Sequence, residues 1–258
     1  MAGNHFSHLS ERCLAIVPAY NEAGCVGAVI ESLRRHAPEF DVLVIDDGST
    51  DSTALISERA GATVLRMPFN LGIGGAMQAG YRYADEHDYD FAVQVDGDGQ
   101  HDPAQIERLA DEFRRDHSVD FVFGSRFAEE SGYRAPAARR AGIRIFAWLL
   151  SLIMRKRVTD PTSGFRLANR RAIALFARDY PHDYPEVEAI LMVHAHRLRL
   201  AEVPVRMDQR ASGRSSITTL RSGYYMAKVL LAVLIGLVRE RPTVTPGDPA
   251  AVSAEHGI

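Results

Sequence analysis

The stretch Val93-Gln94-Val95-Asp96-Gly97-Asp98-Gly99-Gln100-His101-Asp102 decides how this chain is read. A short apolar run stops in two carboxylates one residue apart, followed by glycines, an amide and an imidazole. Strand side chains alternate faces with a period of two, so Asp96 and Asp98 share a side where the extended geometry persists. The glycines permit a sharp turn and close approach of a ligand to the backbone. Two hard oxygen ligands with open positions suit Mg²⁺ or Mn²⁺ already carried by a substrate diphosphate. An acidic, Gly-rich turn that merely closes a strand has the same local composition. The surrounding chain has to separate the two.

Working outward, apolar runs alternate with helical patterns. Cys13 to Pro18 reads as a buried strand stopped by proline. Val26 to Arg35 has helical spacing at Val26, Val29, Ile30 and Leu33. Phe40 to Ile45 is a second strand, ending in Asp46-Asp47-Gly48-Ser49-Thr50-Asp51, and Ser52 to Ala60 a helix. Ala62 to Arg66 is a third strand. The loop Asn70-Leu71-Gly72-Ile73-Gly74-Gly75 precedes a helix over Ala76 to His87. Phe91 to Val95 is the fourth strand and carries the opening motif. Pro103 to Asp116 is a helix with proline suited to its first turn, and Val119 to Gly124 is a fifth strand.

This alternation predicts an α/β fold: a Rossmann-like, mostly parallel sheet with helices on both faces. Ligands of such sheets sit beyond the carboxyl ends of the strands. Pro18 to Glu22, Asp46 to Asp51, Asn70 to Gly75 and Asp96 to Gln100 all fall at that edge, which favours the metal and nucleotide reading. Gly72-Ile73-Gly74-Gly75 does not follow G-x-G-x-x-G, and no Walker A sequence is present. Both facts argue against a dinucleotide or P-loop site.

The second half has another texture. Glu129 to Arg144 is charged and rich in small residues. Ile145 to Met154 is apolar and is followed by Arg155-Lys156-Arg157. Asp160-Pro161-Thr162-Ser163-Gly164-Phe165-Arg166 reads as a polar turn, Arg170 to Ala177 as a helix, and Tyr184 to about His196 as another. Leu200 to Val205 is a strand and Arg210 to Ser216 a basic loop. Residues 217–240 form an apolar helix that would stand with the other C-terminal helices on the acceptor side. The segments 1–12 and 241–258 are expected to be disordered.

Composition excludes several classes. With 258 residues, 46% apolar, 24% charged and a net charge of −3, the chain gives no prior for nucleic acid. Cys13 and Cys25 lack metal spacing and cannot form a disulfide framework, which suits a reducing compartment. The first twelve residues lack the pattern of a signal peptide, and no stretch reaches the roughly 18–20 apolar residues that span a bilayer. A cytoplasmic location is expected, either free or peripheral on the cytoplasmic face of the membrane.

Six motifs in order carry a family resemblance over about residues 13–216: Pro18-Ala19-Tyr20-Asn21-Glu22, Asp46-Asp47-Gly48-Ser49, Asn70 to Gly75, Asp96 to His101, Gly124-Ser125-Arg126-Phe127 and Ser163-Gly164-Phe165-Arg166. The chain resembles the family 2 inverting glycosyltransferases of GT-A fold. Within them it is most similar to the polyprenyl-phosphate sugar synthases of the dolichol-phosphate mannose synthase type. The resemblance implies a GT-A catalytic domain and transfer from a GDP- or UDP-sugar to a polyprenyl-phosphate or related lipid-linked acceptor, with Mg²⁺ or Mn²⁺ as cofactor.

The resemblance also assigns residues. Pro18, Ala19, Tyr20, Glu22, Asp46, Asp47, Asn70, Gly72, Gly75, Gln78 and Asp96 would line the donor nucleotide pocket. An aromatic packs on a base or ribose there, and a carboxylate accepts hydroxyl hydrogens. Asp47 is equally suited to capping a turn. Asp96, Asp98 and Gln100 would hold the cation. Arg126, Arg139 and Arg140 are the candidates for an acceptor phosphate, which guanidinium forks suit. Arg210, Ser212, Arg214 and Ser215 would form a lid over the diphosphate.

A lipid phosphate is already anionic and needs no strong base; a sugar hydroxyl does. Asp160 is the first choice for that base, with Glu186 and Glu188 as alternatives. The basic residues around Ile145–Met154 suit an interfacial helix, although a core or homo-oligomer interface helix has the same pattern. Peripheral membrane contact or a separate membrane-protein partner fits both. Two rival readings remain: transfer to a sugar hydroxyl in polysaccharide or glycolipid synthesis, and a non-catalytic nucleotide-sugar binder.

Overall fold

The structure is a computed structural model and describes residues 11–127, 137–182 and 185–207. The first half runs β1 (Cys13–Ala19), α1 (Val26–His36), β2 (Phe40–Asp46), α2 (Thr53–Arg59), β3 (Thr63–Arg66), α3 (Gly72–Glu86) and β4 (Phe91–Gln94). After a short 3₁₀ turn (Pro103–Gln105) come α4 (Ile106–Arg115), β5 (Phe121–Ser125) and α5 (Ala137–Met154). The described chain closes with β6 (Arg166–Asn169), α6 (Arg170–Arg178), α7 (Pro185–Ala195) and β7 (Leu200–Pro204).

The strands form one seven-stranded sheet in the order β3-β2-β1-β4-β6-β5-β7. Its pairings are parallel except at β6, which runs antiparallel to both β4 and β5. The sheet is buried on both faces, so its inner strands are apolar almost throughout. Leu14 and Ile16 of β1 join α3, α5, α6 and α7 in one core layer. Ala15 and Val17, pointing the other way, join α1 and α4 in the second. On α1 the expected stripe of Val26, Val29, Ile30 and Leu33 is buried. In the first layer Tyr81, Phe176 and Tyr180 pack ring on ring, with centroids 5.0–5.4 Å apart.

Three elements differ from the sequence expectation. Helix α3 starts at Gly72, not at Ala76. Both oxygens of Asp47 accept from the first turn of that helix, Oδ1 from Leu71 N (2.7 Å) and Oδ2 from Gly72 N (2.9 Å), so the carboxylate at the end of β2 caps it. A Cβ on Gly74 would lie 2.5 Å from the Cα of His182 and from the carbonyl of Pro181, so the glycines serve helix packing as well as loop shape. Next, the turn at 160–166 delivers Arg166 into a strand, β6, which four residues with one charge had concealed. At the other end of the chain, Arg12 is pinned where disorder was expected. Its N–H donates to Asp90 (2.9 Å), and its guanidinium lies 4.5 Å from the Tyr89 ring centroid. The expected helix at 217–240 and the terminal segments 1–10 and 241–258 lie outside the described residues.

Candidate active site

The parallel strands bring their carboxyl ends to one edge, and the reversed β6 brings its beginning to the same edge. The loops after β1 and β2 are stitched together there. Asn21, at φ 55°, donates its N–H to Ser49 Oγ (2.9 Å), and its side-chain oxygen accepts from Thr50 N (2.8 Å). Glu22 N donates to Thr53 Oγ1 (2.9 Å). Between these anchors Tyr20 is 48% exposed, and Pro18 and Ala19 are buried. Asp46 is buried and accepts from Ser49 N (3.2 Å). Asn70 and Gly72 lie in and just after the loop that Asp47 holds, and Gly75 stands in the first turn of α3. Gln78 shares a cavity of about 180 Å³ with Leu71 and Gly75 of that cluster and with Met67, Arg82 and His182, and its amide donates to the Arg178 carbonyl at the end of α6.

The opening motif leaves β4 and turns. The Asp96 side chain is 33% exposed and Asp98 is nearly covered, with its Oδ1 accepting from Gln100 N (3.0 Å). Gly99, at φ +78°, makes the turn. His101 is buried against Phe165, ring centroids 5.1 Å apart, and forms a bridge with Met207 after β7. Among the described residues no three His, Cys, Asp or Glu side chains gather as a closed metal site. Two carboxylates and one amide of hard oxygen character fit a divalent cation that draws its remaining ligands from a diphosphate.

Beside this loop lies a second charged system. Arg126, 6% exposed, donates from Nε to Asp160 Oδ2 (2.7 Å) and from its terminal nitrogen to Asp160 Oδ1 (2.9 Å) and Thr162 Oγ1 (2.9 Å). Asp160 has no exposed surface and also accepts from Arg126 N (3.1 Å). Glu202 on β7 holds this turn in place, accepting from Thr159 N, Thr159 Oγ1 and Asp160 N at 2.8–3.0 Å. Asp160, expected as a base, is thus sealed in a bidentate pair. A carboxylate with both oxygens on a guanidinium and no open surface is poorly placed to meet an acceptor hydroxyl.

Arg166 stands in one of the six motifs of the sequence, which gave it no role of its own. It is fully buried, donating to the carbonyls of Ser163 (2.7 Å), Pro185 (3.2 Å) and Glu186. One cation therefore fixes the Ser163–Phe165 turn and the start of α7 together. Its charge at the end of a polar turn reads as a surface residue; only the apolar Leu167-Ala168 that follows hinted at a strand. Glu186, in the first turn of α7, has its acid raised above the usual carboxylate range by burial, opposed by Arg166; Asp96 raises it further and Arg126 lowers it. Glu186 and Glu188, two residues further along α7, are both half-buried by surface exposure. Arg139 and Arg140 fall on α5, but their side chains lie outside the described residues, as do Arg210, Ser212, Arg214 and Ser215.

A mixed α/β sheet whose carboxyl edge collects an acidic strand-end pair and these loops is the architecture of the GT-A glycosyltransferases, and the chain is an enzyme of that class. It belongs to glycosyl transferase family 2, whose family model matches residues 14–176. It is 32% identical over 80% of its length to undecaprenyl-phosphate mannosyltransferase of Micrococcus luteus, covering 88% of that protein. It is 28% identical to polyprenol monophosphomannose synthase of Mycolicibacterium smegmatis, over 81% of this chain and 82% of that one. Among solved structures, glucosyl-3-phosphoglycerate synthase from Mycobacterium tuberculosis in complex with Mn²⁺, uridine diphosphate and glucosyl-3-phosphoglycerate shares the fold. Its TM-score is 0.67 at 20% identity, covering 90% of this chain and 81% of that one.

Proposed function

We propose that this enzyme moves a sugar from a nucleotide sugar to the phosphate of a polyprenyl-phosphate acceptor, inverting the anomeric carbon, with Mg²⁺ or Mn²⁺ on the donor diphosphate. The observation that carries this reading is the turn from Asp160 to Arg166. Asp160 at its start holds Arg126, and a Cβ on Gly164 four residues on would lie 3.3 Å from Asp96 Oδ2, so the cation-type edge and the phosphate-type edge border one space. The polyprenyl-phosphate relatives support the acceptor, and the Mn²⁺ and uridine diphosphate of the structural neighbour support the donor.

Asp96 and Asp98 would hold the cation, with Gln100 as a further oxygen donor. Once bound, the cation supplies Lewis-acid stabilisation of the departing nucleoside diphosphate. The exposed ring of Tyr20 and the Glu22 carboxylate offer a stacking surface and a hydroxyl acceptor to the nucleoside. Arg126, held in one orientation by Asp160 and Thr162, presents its guanidinium edge to the acceptor phosphate. That phosphate is already anionic, so the attack needs no strong base, and Asp160 acts through Arg126. Burial of Glu186 favours its neutral form and reduces repulsion toward two anionic substrates.

The exposed Ile145, Trp148 and Leu152 lie on one side of α5, ahead of Arg155 and Arg157, and support contact with an anionic membrane surface where such an acceptor resides. The same raised carboxyl at Glu186 favours a second reading, transfer to a sugar hydroxyl with Glu186 as base. Product analysis separates them. With polyprenyl phosphate, Mn²⁺ and labelled GDP- or UDP-sugars, the expected product is an organic-extractable, mild-acid-labile lipid phosphate. Label recovered in an acid-stable glycoside without phosphorus overturns the proposal.

A further inference from the structure

The face of Asp96 turned away from solvent is built as carefully as the face turned toward the donor. Gln94 sits two residues earlier on the same side of β4, is only 3% exposed, and donates from Nε2 to Asp96 Oδ1 at 3.1 Å. An amide at the end of an otherwise apolar buried strand has to find a partner, and the partner it finds is this carboxylate. The other oxygen faces His101, whose Nε2 lies 3.6 Å from Oδ2. The His101 Nδ1 accepts the Asp96 backbone N–H at 3.0 Å, so the proton of the neutral ring is on Nε2 and points at the carboxylate.

His101 therefore holds the Asp96 main chain by a hydrogen bond and sets its Nε2 edge beside the side-chain oxygen. A third observation accounts for the space this takes. A Cβ on Gly164 would lie 3.1 Å from Gln94 Nε2, 3.3 Å from Asp96 Oδ2 and 3.3 Å from the His101 ring, so a side chain there would press on all three groups at once.

We propose that Gln94 and His101 are positioning residues for Asp96, Gln94 by its hydrogen bond to Oδ1 and His101 by its hydrogen bond to the main chain with its Nε2 edge set beside Oδ2, so that the remaining lone pairs meet a divalent cation in a fixed direction. Each carboxylate oxygen has two acceptor sites, so each keeps at least one for the cation. Outer partners of this kind orient metal ligands, and their loss typically weakens metal affinity about 10–100-fold. The inference rests on the reading of Asp96 and Asp98 as cation ligands.

The test uses the full chain and follows Mn²⁺ by electron paramagnetic resonance in the presence of uridine or guanosine diphosphate, with thermal melts alongside. His101→Asn is the informative variant. Its side-chain oxygen can still accept the Asp96 N–H where Nδ1 stood, while the Nε2 donor is removed. Gln94→Leu removes the other donor in a near-isosteric way and serves should the first variant melt early. The expected result is Mn²⁺ affinity weakened roughly tenfold or more in each, with a changed line shape for bound Mn²⁺ and a melting temperature near that of the parent. Mn²⁺ binding that Asp98→Ala abolishes but both other variants leave unchanged overturns the inference and leaves the cation site standing. Absence of Mn²⁺ binding in the parent with either diphosphate overturns both.

Discussion

Replacing Asp160 separates an anchor from a base. In the parent, Asp160 and Arg126 are 0% and 6% exposed and share two side-chain hydrogen bonds, with a third from Arg126 N. Asp160→Ala leaves the guanidinium buried without its counter-charge, which typically costs about 3–5 kcal/mol. For a domain of this size each kcal/mol moves the melting temperature by about 2–4 °C. The expected fall is therefore on the order of 6–20 °C, read by calorimetry. Asp160→Asn keeps one acceptor but no charge, and is expected to lose more than half as much. Both variants are expected to raise KM for the acceptor while leaving KM for the nucleotide sugar within about twofold. Combining Asp160→Leu with Arg126→Met removes both charges and is expected to recover much of the melting temperature without recovering transfer. A general base behaves otherwise: Asp160→Asn would melt like the parent and lose kcat alone. That result, or a fall below about 2 °C for Asp160→Ala, refutes the anchoring role.

Further perturbations test other parts of the edge. Asp47→Ala frees two N–H groups at the start of α3 and is expected to cost about 1–3 kcal/mol in chemical denaturation, with KM for the nucleotide sugar rising as the loop loosens. Gly74→Ala drives a methyl against the Pro181–His182 backbone and is expected to cost about 1–3 kcal/mol; a neutral melt would show that this packing gives way freely. Burial pushes the Cys13 thiol up to about 12, so the thiolate is scarce at pH 8 and grows as pH rises. Native protein is expected to leave Cys13 unmodified by a thiol reagent at pH 8 while unfolded protein reacts at both cysteines, as peptide mapping would read. Trp148→Ser with Leu152→Ser is expected to lower co-sedimentation with anionic vesicles several-fold at unchanged turnover on a detergent-dispersed acceptor; unchanged sedimentation would count against membrane contact by α5.

The donor half was legible because its signals are local. The strands β1, β2 and β4 are short, mainly apolar runs that meet proline or aspartate at or just beyond their ends, and the alternation with amphipathic helices allows few topologies. The acceptor half was legible by motif and not by geometry. Arg126 and Asp160 are 34 residues apart, and nothing in composition pairs a candidate base with a candidate phosphate ligand. The role of Arg166 escaped for a related reason: two of its carbonyl partners, Pro185 and Glu186, arrive from 19 and 20 residues further along the chain. Gln94 stands two residues from its partner Asp96, but its burial, which makes that contact necessary, comes only from the folded sheet.

The reversed strand β6 also sets an order of assembly. It pairs with β4 on one side and β5 on the other, and its partners on β4 were laid down more than 70 residues earlier. A chain emerging from a ribosome can lay β1, β2, β3 and β4 side by side through nearby connections, but β4 then keeps an open row of N–H and carbonyl groups until residues 166–169 arrive. That waiting edge ends at the acidic motif. The last neighbour to dock, β6, also carries Arg166, with Gly164 and Phe165 just ahead of it. Closing the centre of the sheet and bringing the Asp160–Arg166 turn against the acidic motif are then one event, and a chain halted before residue 166 leaves β4 without its second neighbour.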